Sequence, residues 1–260
     1  MTERPSARYP DLDGRTVFIS GGGSGIGAAF VSAFALQGCR VAFIDLADAP
    51  SKALVAALPE GRTRYERCDV RDITALRAAI ANAAKAFGPI TILVNNAARD
   101  DRHALEDVTP EYWDENLAVN LRHHLFAAQA VAPGMAAAGG GSIINLGSIS
   151  WMRGRPAMVA YTTSKAAISG LTRVLARELG ERGIRVNAIV PGAIETPRQR
   201  ALWTTPEAEQ EFLDQQCLKF RLKEDDVART ALFLASDEAR AITGQNLIVD
   251  AGLAQTSVAT

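Results

Sequence analysis

The amino-acid sequence predicts an α/β protein in which helices cover both faces of one doubly wound parallel sheet. Short β-branched runs alternate with longer Ala- and Leu-rich stretches of helical spacing. The short runs are apolar at consecutive positions, as strands buried on both faces are. A glycine run, Gly21-Gly22-Gly23-Ser24-Gly25-Ile26-Gly27, lies where a first strand would turn into a first helix.

Residues 16–19 read as the first strand, and a helix begins near Gly25. Residues 40–45 form the second strand, ending on Asp45. The third falls near 65–70, a helical segment follows over 73–87, and the fourth strand covers 90–94. Thr109-Pro110-Glu111 reads as a helix start: a hydroxyl N-cap, a proline in the first turn and an early carboxylate. Strands near 142–146, 184–190 and 246–250 complete the sheet, with a helical stretch at 166–179. No repeat, low-complexity tract or linker interrupts the pattern, so residues 1–260 are expected to form one domain.

The 260 residues are 48% hydrophobic and 22% charged, with a formal net charge of -1. That composition is globular and gives no electrostatic reason to expect nucleic acid or an anionic membrane as partner. Residues 1–10 lack the apolar core of a secretory signal. The most apolar long run, 125–138, is broken by Gln129 and Pro133-Gly134 and is too short to span a bilayer. Cys39, Cys68 and Cys217 lie far apart without CxxC spacing, which fits free thiols in the cytoplasm. With His103, His123 and His124 as the histidines and no HExxH, no metal site is expected; Asp100, Asp101 and His103 could bind one opportunistically.

Glycines between a strand and a helix allow positive φ and close backbone approach, so a pyrophosphate can sit on the helix N-terminus. Gly21, Ser24, Gly25, Ile26 and Gly27 are the expected cofactor-facing positions. The spacing fits both Gly-x-x-x-Gly-x-Gly and, shifted, the Gly-x-Gly-x-x-Gly/Ala form, so the motif alone does not choose between dinucleotide folds. Asp45 ends the second strand 20 residues after Gly25, where a carboxylate can accept hydrogen bonds from the adenosine ribose. It would repel the 2′-phosphate of NADP, and Leu46-Ala47 supply no base, so NAD is the expected cofactor.

Tyr161 and Lys165 stand four residues apart, on one face of a helix. Oxidising an alcohol needs a base for its proton, and a free phenol with a pKa of about 10 is a poor one near neutrality. A neighbouring ammonium lowers that pKa. Ser148 lies just past the fifth strand, at the strand ends where such sheets bind ligands. Gly147-Ser148-Ile149-Ser150 is not the Gly-x-Ser-x-Gly elbow of a hydrolase.

The chain resembles the short-chain dehydrogenase/reductase family over nearly its whole length. The resemblance rests on the glycine motif, Asp69-Val70, Asn95-Asn96-Ala97-Ala98, Asn120, Ser148, Tyr161-x-x-x-Lys165 and Pro191-Gly192-Ala193-Ile194-Glu195-Thr196, in family order. It implies a Rossmann-like fold, with a cofactor half at about 14–140 and a catalytic and substrate half at about 141–260. It also implies that Tyr161 is the acid/base, that Ser148 orients the substrate oxygen, and that Lys165 holds the nicotinamide ribose while tuning Tyr161. Asn120 would place a relay water behind Lys165, Asp69 and the Val70 backbone would meet the adenine, and Asn96 and Ala97 would flank the cofactor. Pro191, Gly192, Ile194 and Thr196 would meet the carboxamide and nearby phosphate. Ser20 and Ala98 depart from the usual threonine and glycine. The family further implies a homotetramer, with helical segments 110–138 and 158–180 pairing across subunits.

Within the family the chain is most like bacterial NAD-dependent aldose 1-dehydrogenases acting on D-xylose and related sugars. The carrying segments are Asp100-Asp101-Arg102-His103, Asn120-Leu121-Arg122-His123, Gly147-Ser148-Ile149-Ser150-Trp151 and Gln216-Cys217-Leu218-Lys219. The resemblance implies oxidation at the anomeric carbon to a lactone, with L-arabinose, L-fucose and D-galactose also open. Trp151 could pack against a sugar, and Arg99, Ser150, Arg153, Arg155, Gln199 and Trp203 are expected near the substrate mouth. The arginines could instead grip a carboxylate or phosphate, which would favour a sugar acid or another anionic substrate; a secondary alcohol or a 3-oxoacyl substrate is the further alternative. A carbonyl reductase and a non-catalytic NAD-binding sensor are the alternatives; the four residues Asn120, Ser148, Tyr161 and Lys165 argue against the sensor.

Overall fold

The structure, a computed structural model, describes residues 7–202 and 205–254. In chain order the elements are β1 (Thr16–Ser20), α1 (Gly25–Leu36), β2 (Arg40–Asp45), α2 (Asp48–Ala56), β3 (Thr63–Arg67) and α3 (Ile73–Phe87). Next come β4 (Ile90–Asn95), α4 (Pro110–Leu117), a π-helical segment (Ala118–Arg122), α5 (His123–Ala137), β5 (Gly141–Leu146) and α6 (Val159–Leu179). The chain continues through β6 (Ile184–Pro191), β7 (Ile194–Glu195), α7 (Pro197–Leu202), α8 (Pro206–Gln215), β8 (Leu222–Lys223), α9 (Glu224–Ala235) and β9 (Asn246–Val249).

Seven strands form one parallel sheet in the order β3-β2-β1-β4-β5-β6-β9; β7 and β8 pair separately. Successive residues of each strand serve opposite faces. Val17 and Ile19 of β1 pack with Phe30 and Phe34 of α1 and Leu232 of α9, whereas Phe18 joins Leu76, Ala128 and Leu175 of α3, α5 and α6. The continuous apolar strands are therefore covered on both sides. Strand order reverses between β1 and β4, which opens a crevice at the carboxyl ends of the strands.

The boundaries differ from the sequence reading in places. β3 runs over 63–67 rather than 65–70, because its partner β2 ends at Asp45, paired with Arg67. Cys68 and Val70 leave the sheet but stay buried. Segment 110–138 is not one helix: the π-helical turn separates α4 from α5. Thr109 does cap α4, its hydroxyl accepting the Tyr112 N–H at 3.2 Å. β9 stops at Val249, where the Asp250 carboxylate turns the chain by accepting the amides of Gly252 (2.8 Å) and Ala254 (2.6 Å). All three cysteines are free thiols. Among the described residues no helix is long and apolar enough to cross a membrane.

Candidate active site

The glycine turn is fixed from below by the Ile44 carbonyl, which accepts the amides of Gly21 (2.8 Å) and Gly22 (3.1 Å). Gly21 (φ +68°) and Gly25 (φ +51°) occupy the left-handed region, where a side chain would be strained. A Cβ at Gly27 would strike the Gly21 carbonyl oxygen. The first i→i−4 bond of α1 runs from Ala28 to Ser24 O, so the amides of residues 25–27 lie ahead of the ladder. Ser24, Gly25, Ile26 and Gly27 line a cleft of about 1050 Å³. Its floor is tied to β4: the Ser20 hydroxyl accepts the amides of Asn96 (3.0 Å) and Ala97 (3.2 Å). The Asn96 side chain donates to Ser20 O (3.1 Å) and Gly21 O (2.8 Å). A serine hydroxyl at position 20 thus suffices, and Ala98 keeps a negative φ that accommodates its Cβ.

Asp45 reaches the same cleft, half-buried, with Oδ2 accepting the Gly23 amide (2.8 Å) and Oδ1 the Ala47 amide (2.9 Å). Asp69 and Val70 line the cleft beside it. Arg71 donates to both Asp69 oxygens, Nη2 to Oδ2 at 2.6 Å, and holds that carboxyl below the usual range. This glycine cradle, open helix terminus and ribose-side carboxylate fit a nicotinamide dinucleotide.

Across the crevice, β5 delivers Ser148 and the start of α6 delivers Tyr161 and Lys165, all three in the cleft wall. Ser148 Oγ accepts the Ser150 amide at 3.1 Å. Lys165 is 2% exposed; its Nζ donates to Leu146 O at 2.7 Å and lies 5.6 Å from the Tyr161 ring centroid. Burial pushes Lys165 down to about 7, opposed by the Asp100 carboxylate. Burial pushes the Tyr161 phenol up to about 12, against the pull of a hydrogen bond with Ser148. In the cofactor-free protein burial thus opposes the lowered phenol expected from the Tyr–Lys spacing.

Asn120 sits wholly buried in the π-helical segment, behind the cleft rather than in its wall. Its Oδ1 accepts the Arg99 amide (2.7 Å), and its Nδ2 donates to Arg99 O (3.1 Å) and Asn116 Oδ1 (2.8 Å). The amide therefore clamps the loop after β4. His123, held neutral by burial that drives it down to about 3, meets Ala97 O at 3.0 Å.

Pro191, Gly192, Ile194 and Thr196 form the far wall. A Cβ on Gly192 would come within 2.7 Å of Asp250 Cβ, and the Thr196 hydroxyl starts α7 by accepting the Gln199 amide at 3.1 Å. Arg99, Ser150, Arg153, Arg155 and Gln199 also line the cleft. Trp151 does not: the turn closed by Arg153 N–Ile149 O and Arg155 N–Ser150 O (each 3.1 Å) leaves it outside the wall. Trp203 lies outside the described residues. The structure brings in Asp100, from the segment 100–103, and adds Arg198, Glu209, Phe212 and Arg221, which carry no local motif. Asp100 is paired with Arg198 at 3.3 Å.

A family model described as Enoyl-(Acyl carrier protein) reductase matches residues 21–254. The chain is 52% identical to "Probable galactose dehydrogenase GalD" of Rhizobium meliloti (strain 1021), over 96% of this chain and 98% of that one. It is 51% identical to D-xylose 1-dehydrogenase of Caulobacter vibrioides (strain NA1000 / CB15N), over 95% and 98% respectively. Among solved structures it is similar to a blue fluorescent protein from a metagenomic library in complex with NADPH. That match has a TM-score of 0.85, 35% identity and coverage of 94% of this chain and 99% of the other.

Proposed function

The chain belongs to the short-chain dehydrogenase/reductase family, and from that membership we propose that it oxidises the anomeric C1 hydroxyl of an aldose to the lactone with NAD. The observation that carries the reading is the convergence of Ser148, Tyr161 and Lys165 on the wall of a cleft whose other wall is the glycine turn. The relatives named for galactose and D-xylose supply the substrate class. D-Xylose, L-arabinose, D-galactose and L-fucose are the candidate sugars.

A bound nicotinamide dinucleotide supplies the acceptor for the C1 hydrogen and its electron pair. Gly21, Ser24, Gly25, Ile26 and Gly27 hold its pyrophosphate, with Asp45 on the adenosine ribose and Asp69 and Val70 at the adenine. Asn96, Ala97, Pro191, Gly192, Ile194 and Thr196 flank the nicotinamide end. Ser148 positions O1 of the sugar, and Tyr161 takes its proton. Burial holds the Tyr161 phenol up and the Lys165 ammonium down in the cofactor-free protein; taking the proton requires the Tyr161 phenolate, which a charged Lys165 one turn away would favour. Asn120 is a positioning residue that fixes the loop carrying Arg99. Arg99, Ser150, Arg155 and Gln199 border the sugar. Asp45 and the absence of a base at Leu46, Ala47 and Asp48 support NAD over NADP.

The protein is further read as a cytoplasmic homotetramer. Leu125 of α5 and Val159 and Val174 of α6 are exposed apolar side chains on the helices that would pair. The test is incubation with NAD and the four sugars. NADH with stoichiometric lactone is expected; no NADH from any aldose, by a protein that binds NAD, refutes the reading.

A further inference from the structure

Resting on the aldose reading above, we propose that the cleft carries a carboxylate subsite built from Arg155 and Arg221 beside Phe212, and that the aldose it favours is a hexuronic acid. Arg221 enters from the segment between α8 and β8, and its side chain is 11% exposed. Its Nε and Nη1 have no hydrogen-bond partner. The Glu209 carboxylate lies 3.5 Å from Nε, too far for the charge-assisted bond a guanidinium ordinarily makes. Buried N–H groups without an acceptor are costly, and the unpartnered Nη1 edge of this guanidinium offers a donor for a carboxylate oxygen.

Arg155 faces the same ring. Its guanidinium carbon is 5.9 Å from the Phe212 centroid, and that of Arg221 is 5.5 Å from it. No carboxylate pairs with Arg155 among the described residues. Arg153 donates to Gln215 Oε1 at 2.6 Å, and Glu211 accepts from Gln215 Nε2 at 3.0 Å, bonds that fix these side chains but leave their charges in place. Arg102, Arg153, Arg155 and Arg221 outweigh Asp100, Glu209 and Glu211 by one charge here. Arg155 is exposed and Arg221 already faces Glu209, so what a carboxylate adds over a neutral sugar hydroxyl is charge-assisted hydrogen bonding.

The subsite is tied to the reacting centre. The Ser150 amide donates to Ser148 Oγ, and the Arg155 amide donates to Ser150 O, each at 3.1 Å, so one turn carries both the orienting hydroxyl and the arginine. Arg155 is near enough to Tyr161 for its charge to pull the phenol downward. Between them the buried Ser150 hydroxyl lacks a partner and lines the cleft, placed for a ring hydroxyl. With C1 at Tyr161, the proposal places the C6 carboxylate of the same pyranose at Arg155 and Arg221, which line the same cleft. In the reaction the C1–H bond breaks with its electron pair passing to NAD. The O1 proton passes to Tyr161, C1–O1 becomes the lactone carbonyl, and the C6 carboxylate is unchanged.

The experiment compares kcat/KM for D-galacturonate and D-galactose with NAD, two sugars that differ only at C6, in the wild type, Arg155→Gln and Arg155→Lys. A wild-type preference for the uronate of about tenfold or more is expected, since a site built for a charged group discriminates strongly against its absence. Arg155→Gln should cut the uronate-to-hexose ratio by about tenfold, mainly through KM, with partial recovery in Arg155→Lys and a decline of the preference in high salt. Equal or better use of galactose by the wild type overturns the carboxylate subsite and leaves the aldose reading standing. A preference that survives Arg155→Gln unchanged overturns the assignment to this arginine. Oxidation of neither sugar nor any other aldose overturns the aldose reading and this inference with it.

Discussion

Replacing Asp45 by Asn should shift cofactor choice toward NADP. The carboxylate ends β2 half-buried and spends one oxygen on the Gly23 amide and one on the Ala47 amide. Alanine would abandon both amides, whereas asparagine keeps the volume and one acceptor and removes the charge. A ribose 2′-phosphate brings a charge of about −1.5 to −2. At about 4 Å, a unit charge pair is worth about 1 kcal/mol in water and about 4 kcal/mol near a protein surface. Partial exposure of Asp45 places the effect toward the lower end, at about 2 kcal/mol, or roughly thirtyfold in the ratio of NADP to NAD affinities. The ratio is read from the dissociation constants of both cofactors, with low and high salt separating the charge effect from lost hydrogen bonding. A ratio within about twofold of wild type would refute the placement of Asp45 at the ribose.

Tyr161→Phe removes the proposed acid/base hydroxyl and nothing from the glycine cradle; turnover should vanish while NAD affinity, measured by titration, stays within a few-fold. Gly27→Ala should abolish NAD binding or destabilise the fold, because the added methyl strikes the Gly21 carbonyl; a variant that binds NAD normally would contradict the turn geometry. Stability should depend on pH in a defined way. Lys165, at about 7 against 10.5 unfolded, releases a proton on folding, so its contribution grows as pH rises from 7 and is lost as pH falls through 7. Cys39, raised from 9.0 to about 12, and Tyr161, raised from 10.0 to about 12, hold protons on folding, so stability declines above about pH 9. On the acid side the depressed His123, at about 3 against 6.5, and His124 beside it lose stability as pH falls from 6.5. Denaturant unfolding at stepped pH should show this dome in the cofactor-free protein, and a flat profile between pH 4 and 7 would contradict the buried, neutral histidines.

The sheet was legible because its strands are apolar at consecutive positions and its turns carry glycine, as at Gly21 to Gly27. β3 was misplaced because strand length depends on the partner: β2 ends at Asp45, a tertiary fact that the run 65–70 does not reveal. The π-helical turn at Ala118–Arg122 has no periodicity of its own, and the two-residue strands β7 and β8 are too short to signal. The convergence of Ser148, Tyr161 and Lys165 on one cleft wall was legible through the Tyr161–Lys165 spacing and the position of Ser148 after a strand. The substrate end was less so. Trp151 has the right chemistry for a sugar platform but lies in a turn that keeps it out of the cleft wall. Phe212 and Arg221 reach the site through the excursion between β7 and α9, which no local motif marks.

The most direct measurement is the fate of the C1 hydrogen. D-Galactose and D-xylose carrying deuterium at C1 would be offered with NAD, and the reduced nicotinamide examined by NMR. Deuterium in the nicotinamide ring, with loss of the signal in Tyr161→Phe, is the predicted result. Reduced cofactor free of deuterium, or none formed from either sugar, would contradict oxidation at the anomeric carbon.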